Sequence, residues 1–318
     1  MIYFFSGSLT DEMMDLLSRL PGYEPIDVLV SQLDRSAITK MIKWRNEGLI
    51  NRLFIDSGAF SFHTGKAKVD LEEYISYLNS IDDNIFVCAQ LDTIPGHFGK
   101  PKSKEDYEES AKKSWDNFLY MHTKLKSPEK LMPVFHFGES FDVLGQMLSW
   151  RDENGHQLEY VGISPANDAS QAEKNTYLQN VGDYIAASSN PNVKTHYYGM
   201  TSIDALAKYP CYSADSISHR LMAAYCKVYH PKFGVVSVSK KSRTVKSKSN
   251  MSFLETADES ALKEMTDYIE SLGFNLDQAI ESSSVRTVIC MYTIMQEVKK
   301  INSGQSEKAV RSKKLFSI

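Results

Sequence analysis

The fold is decided by residues 53–92, in which LFID (53–56) is followed by LEEYISYLNS (71–80) and then by IFVCAQL (85–91). The first and third segments are almost continuously apolar, as expected of parallel strands that are buried on both faces. The middle segment has the three-to-four-residue apolar spacing of an amphipathic helix. The stretch therefore predicts a strand–helix–strand crossover unit.

This unit recurs along the chain. Eight apolar runs predict strands, at residues 2–6, 27–31, 53–56, 85–91, 132–136, 160–164, 195–198 and 211–215. Seven helical patterns lie between or beside them, at residues 11–20, 37–47, 71–80, 104–125, 140–153, 172–187 and 203–207. Eight strands alternating with helices predict an α/β protein built as a single (β/α)8 barrel. An open doubly wound sheet is the alternative, but the glycine-rich turn G-x-G-x-x-G that would favour it is absent.

Length and charge limit the remaining possibilities. The chain has 318 residues, of which 42% are hydrophobic, so it can bury a large core. We expect the barrel to cover residues 1–302, with closing helices at 258–272 and 285–301 and a polar basic tail at 303–318. The net charge is −4, which excludes a globally basic nucleic-acid coat protein. Residues 216–254 nevertheless contain eight Lys and Arg and no acid, and a basic loop is predicted at about 227–250.

Cysteine usage and the N-terminus indicate the compartment. The four cysteines, at 88, 211, 226 and 290, form no C-x-x-C pair, so neither a structural metal site nor a disulfide framework is predicted. No signal peptide and no membrane-spanning apolar run is apparent. We therefore expect a cytoplasmic protein with no membrane partner, located in the host cytoplasm if it is encoded by a phage.

Polar residues end nearly every predicted strand. In chain order they are Ser6, Ser31, Asp56, Gln90 with Asp92, His136, Ser164, Tyr198 and Asp215. The carboxyl ends of barrel strands meet on one rim, where active sites lie. The three aspartates together with His136 are a candidate divalent-metal site. Alternatively, one carboxylate attacks an electrophilic carbon while another transfers protons. The simplest interpretation is that each aspartate only caps the helix that follows it.

Six segments at these strand ends resemble the tRNA-guanine transglycosylases in the same order. The segment IDSGAFSF (55–62) is similar to the family motif D-S-G-G-[FY]-Q, and YSADSISHR (212–220) to F-D-C-V-x-P-T-R. Between them lie AQLDTIPG (89–96), VFHFGES (134–140), YVGISP (160–165) and HYYGMTSIDAL (196–206). The resemblance covers about residues 50–220. It implies a (β/α)8 barrel that exchanges guanine in nucleic acid for a 7-deazaguanine such as preQ0, without a cofactor.

The resemblance also implies roles for individual residues. Asp215 matches the nucleophile that attacks the ribose C1′, Asp56 the aspartate of acid/base transfer, and Asp92 the aspartate that binds the purine edge. His136 stands where the family has a base-binding glutamine. The expected base-binding set is completed by Ser57, Gly58, Gln90, Gly162, Tyr198 and Gly199.

Departures from the family pattern suggest a branch. No C-x-C-x-x-C zinc motif is present, so the chain looks more like the zinc-lacking relatives that modify DNA. DNA is therefore favoured over tRNA as the partner, and a homodimer is compatible with the sequence. The cations expected to contact phosphates are Arg220, Lys240, Lys241, Arg243, Lys246 and Lys248. A tRNA-guanine transglycosylase, a metal-dependent barrel hydrolase and a non-catalytic nucleic-acid-binding barrel remain alternatives.

Overall fold

The computed structural model describes residues 1–65, 70–96, 100–165, 169–200, 202–238 and 252–305. The chain forms two compact units. The first unit comprises Met1–Ser8, Ile26–Met200 and Tyr209–Asp215. The second comprises Leu9–Pro25, Thr201–Lys208 and the chain from Ser216 onward.

A nine-stranded, nearly closed, barrel-shaped parallel sheet forms the centre of the first unit. In chain order its strands are β1 (Ile2–Ser6), β2 (Ile26–Ser31), β3 (Ile50–Asp56), β4 (Val87–Ala89), β5 (Leu131–Met132), β6 (Val134–His136), β7 (Tyr160–Ser164), β8 (Lys194–Tyr197) and β9 (Ser213–Ser216). Neighbours follow the order β5-β4-β3-β2-β1-β9-β8-β7-β6. The two end strands, β5 and β6, are separated in sequence by Pro133 alone.

Pro133 explains why a barrel of eight strands appears as nine. Proline has no N–H to donate, so the ladder is interrupted at this residue. Its carbonyl oxygen still accepts a hydrogen bond of 2.8 Å from Gly162 N, and the carbonyl oxygen of the preceding Met132 accepts one of 2.9 Å from Gln90 N. β5 and β6 are thus two halves of one strand, and the predicted (β/α)8 architecture is confirmed.

Helices of the first unit follow the strands in the expected alternation. They are α2 (Arg35–Asn46), α3 (Ala59–His63), α4 (Leu71–Ser80), α5 (Lys104–Lys124), α6 (Phe141–Ser149) and α7 (Gln171–Ala186). Both α5 and α7 begin with a capping box, in which Ser103 pairs with Asp106 and Ser170 with Glu173. These caps fix the points at which the loops at the strand ends give way to helix.

Helix α6 is shorter than predicted. The pattern at 140–153 predicts a helix through residue 153, but α6 ends at Ser149 because Trp150 adopts an extended conformation. The Asp152 carboxylate then accepts hydrogen bonds from the backbone N–H groups of Asn154 and His156. This local turn competes with a further turn of helix.

The second unit contains helices and one hairpin. Its elements are α1 (Asp11–Ser18), α8 (Ile203–Lys208), α9 (Ser218–Ala224), β10 (Lys227–His230), β11 (Gly234–Ser237), α10 (Phe253–Thr256), α11 (Glu259–Ser271), α12 (Leu276–Glu281) and α13 (Ser283–Asn302). β10 and β11 are antiparallel, so the first part of the predicted basic loop is a hairpin. No described helix is long and apolar enough to span a membrane.

The interior of the barrel is filled by residues from alternate positions of its strands. Phe4, Leu29, Phe54, Val87, Ala89, Met132 and Tyr160 form one buried cluster, with Tyr198 packed against it. Gly162 on β7 makes room for the Tyr198 ring, because a Cβ at residue 162 would lie 2.8 Å from Tyr198 Cε2 and 3.1 Å from Met132 Cε. The packing beneath the candidate site thus depends on the absence of a side chain at Gly162.

Replacing this glycine tests the packing. We expect Gly162→Ala to lower the free energy of unfolding by about 1–3 kcal/mol, because overpacking forces the Tyr198 ring to move. Gly182→Ala is the matched control, since nothing lies within 4 Å of a Cβ at that position in α7. Helix propensity should make the control about 0.5–1 kcal/mol more stable. Urea unfolding measures both, and equal stabilities of the two variants would contradict this packing.

Candidate active site

Asp215 is held by hydrogen-bond donors from both neighbouring strands. Its buried carboxylate accepts a hydrogen bond from Ser6 Oγ on β1. On the β8 side, Gly199 N donates to Oδ1 over 2.9 Å and His196 Nε2 lies 3.2 Å from the same oxygen. The other ring nitrogen of His196 is 2.7 Å from Ser213 Oγ. These donors fix the orientation of a carboxylate at the end of β9.

Asp92 belongs to a second buried network. Ser57 Oγ donates to Asp92 Oδ1 over 2.8 Å, and His136 Nε2 lies 2.9 Å from Asp92 Oδ2. Glu139 binds the other side of His136, with Oε1 3.2 Å from Nδ1 and Oε2 2.9 Å from the backbone N of the same residue. The side chain of Glu139 is only 1% exposed.

The two carboxylates determine the protonation of His136. Burial by itself lowers the pKa of this histidine. Hydrogen bonds to Asp92 and Glu139, and the negative charges of both, outweigh burial and raise the pKa of His136 to about 10. His136 is therefore an imidazolium at neutral pH, with both N–H groups donated to carboxylates. It positions Asp92 and has no free ring donor for a ligand.

Asp56 has no cationic partner among its described contacts. Its Oδ2 accepts a hydrogen bond of 3.0 Å from Gly58 N. Burial and the negative charge of Asp92, followed by that of Asp215, raise the pKa of Asp56 to about 7, although the N–H groups of Gly58 and Ser57 oppose the shift. Asp56 can therefore both give and accept a proton near neutral pH.

The tight turn after β3 makes this arrangement possible. Gly58 has φ +79°, a conformation that favours glycine. A Cβ at this position would lie 2.8 Å from Leu33 Cδ1 and 2.9 Å from Ser31 Oγ. The Asp-Ser-Gly sequence thus brings Asp56 and Ser57 to the mouth together, and Ser57 joins the turn to Asp92.

Tyr198 borders all three aspartates. Burial, and then the charges of Asp56, Asp92 and Asp215, raise the pKa of its hydroxyl well above the usual value. The ring meets that of His196 edge to face, with 4.6 Å between centroids. Its buried hydroxyl makes no hydrogen bond with any residue that the structure describes. An unpaired buried hydroxyl beside three carboxylates is a group that a bound ligand would satisfy.

Gln90 occupies a different position. It is fully buried, and neither polar atom of its amide has a hydrogen-bond partner within the described ranges. It follows Ala89, which lies in the interior cluster, so strand alternation directs its side chain to the opposite side of the sheet. The expected role of Gln90 in base binding remains a prediction.

The residues expected to contact phosphates are described only in part. Arg220 lies on α9 in the second unit, and no ion pair joins its guanidinium to a described residue. The other five lie outside the described residues: Lys240, Lys241, Arg243, Lys246 and Lys248. Their roles remain predictions.

The aspartates have three partners that the sequence alone does not predict, His196, Glu139 and Ser6. His196 is fully buried in a strand, and nothing local distinguishes it from a core histidine. Glu139 follows His136 by three residues, and this spacing is the only local signal of their pairing. Ser6 ends a predicted strand, but its contact with Asp215 spans 209 residues of sequence.

Comparisons with known proteins do not identify the chain. No protein-family model matches it, and no curated protein matches it. Within the described part of the chain, no group of three or more His, Cys, Asp or Glu side chains is arranged to hold a metal ion. Function must therefore be inferred from the site itself.

Removing the carboxylate behind His136 tests the second network. We expect the His136 imidazolium of the wild type to persist through pH 8, and the pKa of His136 to fall in Glu139→Gln, because one of its two anionic partners is lost. Nitrogen-15 NMR of the imidazole measures both. Glu159→Gln removes an exposed carboxylate that pairs with Lys194 and should leave the titration unchanged. An unaltered titration in Glu139→Gln would refute the pairing.

Proposed function

We propose that the chain is a transglycosylase that exchanges guanine in nucleic acid, with DNA favoured over tRNA, for a 7-deazaguanine. The observation that carries this proposal is that three aspartates meet at one barrel mouth, each with a different set of partners. Asp215 is fixed by three donors, Asp92 is bound to an imidazolium, and Asp56 has its pKa raised to about 7. Base exchange at a glycosidic carbon requires a nucleophile, a base-recognition group and a proton carrier.

In the first half-reaction, an oxygen of Asp215 attacks C1′ of the nucleotide and the bond between C1′ and N9 of guanine breaks. The electron pair of that bond goes to the purine, which takes a proton from Asp56. The oxocarbenium character that develops at C1′ is stabilised by the adjacent carboxylate. The product is an ester between Asp215 and the sugar.

In the second half-reaction, the proton returns. The incoming 7-deazaguanine gives its N9 proton to the Asp56 carboxylate, and N9 attacks C1′ while the ester bond to Asp215 breaks. Asp56 ends protonated and Asp215 ends as a carboxylate, so the cycle closes without a co-reactant. A carboxyl group with a pKa of about 7 is suited to both directions of transfer.

The free acceptor positions of Asp92 support a guanine-like base as the one that is recognised. Each of its oxygens already accepts one hydrogen bond, from Ser57 or His136, and each retains a lone pair for a ligand. A carboxylate offers acceptors only, which matches the N1–H and exocyclic amino donors of a guanine-like edge. Adenine presents an acceptor at N1, which would face the remaining lone pairs of the Asp92 carboxylate without a donor.

The sharpest test of the reaction is transfer of the base. Purified protein incubated with DNA and radiolabelled preQ0 should incorporate label into DNA. Incorporation into tRNA alone would identify tRNA as the acceptor in place of DNA. Incorporation into neither would refute the proposal.

The ester intermediate gives a test of the nucleophile. Wild-type protein mixed with a guanine-containing oligonucleotide, without an incoming base, should leave an adduct that survives SDS electrophoresis. Asp215→Asn should give none, because the amide cannot form the ester. Asp267→Asn is the control, since Asp267 is an exposed carboxylate paired with Lys263, and it should form the adduct as the wild type does. An adduct in Asp215→Asn would assign the nucleophile elsewhere.

The pH dependence of guanine release tests the proton carrier. Release requires protonated Asp56, so the single-turnover rate should be constant well below pH 7 and fall about tenfold per pH unit well above it. Asp56→Asn should be slower by about 10²–10⁴-fold and lack this decline. Asp116→Asn, which removes an exposed partner of Lys112, should keep the wild-type profile. Chromatography of released guanine between pH 5.5 and 9 gives these rates, and an unchanged decline in Asp56→Asn would contradict the assignment.

A further inference from the structure

Helix α9 carries a row of exposed apolar side chains. Ile217 at its N-cap, Leu221 within it and Tyr225 at its C-cap are 43%, 49% and 52% exposed. Their four-residue spacing puts them on one face of the helix. We call these three residues the α9 stripe. Single exposed apolar residues are ordinary, but a contiguous apolar face usually marks an interaction site.

The opposite side of α9 packs against the interior of the second unit. His219 and Ala223 are fully buried, and α9 packs against α13, whose buried Arg286 donates to the carbonyl oxygen of Ala223 over 2.9 Å. The helix is therefore anchored by the face that carries His219 and Ala223.

Charge indicates what the α9 stripe binds. Arg220 lies next to Leu221, and Lys227 begins the strand that follows α9. Neither cation forms an ion pair within the described ranges, and no acidic residue occurs between 216 and 254. A second copy of the chain would bring the same cations against these. A ligand complementary to the stripe and its two cations carries negative charges that alternate with flat apolar groups.

A cavity lies beside the stripe within the same unit. It has a volume of about 400 Å³, and Ser218 and Met222 of α9 line it together with Ile203, Asp204, Tyr229 and Val235. This volume is within the roughly 300–1,000 Å³ of small-ligand pockets. Its size and its apolar walls suit one nucleobase.

We propose that the α9 stripe, with Arg220 and Lys227, docks an unstacked strand of nucleic acid. One base stacks on the ring of Tyr225, its neighbours pack against the aliphatic Ile217 and Leu221, phosphates pair with the two cations, and the adjoining cavity receives one base. This inference rests on the proposed function only in that the partner is nucleic acid. It adds that the strand must be single or locally opened, since bases within a duplex present no free face to the stripe.

Binding without catalysis tests the proposal. Fluorescence anisotropy with a labelled 20-nucleotide DNA strand, and with its duplex, should show the single strand bound at least tenfold more tightly. The triple variant Ile217→Ser, Leu221→Ser, Tyr225→Ser should lose at least tenfold in affinity for the single strand and little for the duplex. Arg220→Gln should reduce the slope of log affinity against log salt concentration by about one, because one counterion fewer is released. Circular dichroism verifies that the variants are folded.

Controls separate this inference from the proposed function. Leu119→Ser removes an apolar residue of the first unit that is 37% exposed, and it should bind as the wild type does. Strand binding lost in the triple variant supports the stripe even if no base exchange is detected. Unchanged strand binding by the triple variant overturns the inference even if exchange occurs. Wild-type dimers that the triple variant converts to monomers would assign the stripe to a second copy instead.

Discussion

The candidate site depends on how negative charge is neutralised at the barrel mouth. Three aspartates face one another, and two of them contact a buried histidine, Asp92 with His136 and Asp215 with His196. Among the described residues, Asp56 receives hydrogen bonds only from backbone N–H groups, and its charge is disfavoured by burial and by the other two carboxylates. The pKa of Asp56 is therefore raised to about 7. Three residues of one type thus have different surroundings because they have different partners.

The barrel supplies these partners because adjacent strands end at the same rim. Ser6 and His196 reach Asp215 from the strands on either side of β9, and His136 at the end of β6 reaches Asp92, which follows β4. The interruption at Pro133 leaves this rim intact, because the hydrogen bonds on both sides of it are made. Gly162 then leaves room for the Tyr198 ring beneath the aspartates. Closure of the barrel and the arrangement of the site side chains thus depend on a few residues, among them Pro133 and Gly162.

Much of the fold was predictable from local pattern. The apolar runs locate all eight barrel strands to within a few residues, because parallel strands buried on both faces carry their signal in sequence. The three aspartates were predictable as strand-end residues. Their partners were not, since a buried histidine such as His196 looks like core until the strand beside it is known. The hairpin of β10 and β11 was missed because its Lys- and Ser-rich continuation suggested a loop.

Positive and negative charge are concentrated in different parts of the chain. The net charge of −4 combines an excess of cations between residues 216 and 254 with an excess of acids elsewhere. A site lined by carboxylates repels a polyanion, so an enzyme that acts on nucleic acid requires cations outside that site. The basic segment begins directly after Asp215 in sequence. Under the proposed function, the affinity for the nucleic-acid backbone and the chemistry at C1′ are therefore supplied by successive stretches of the chain, and each can be altered without the other.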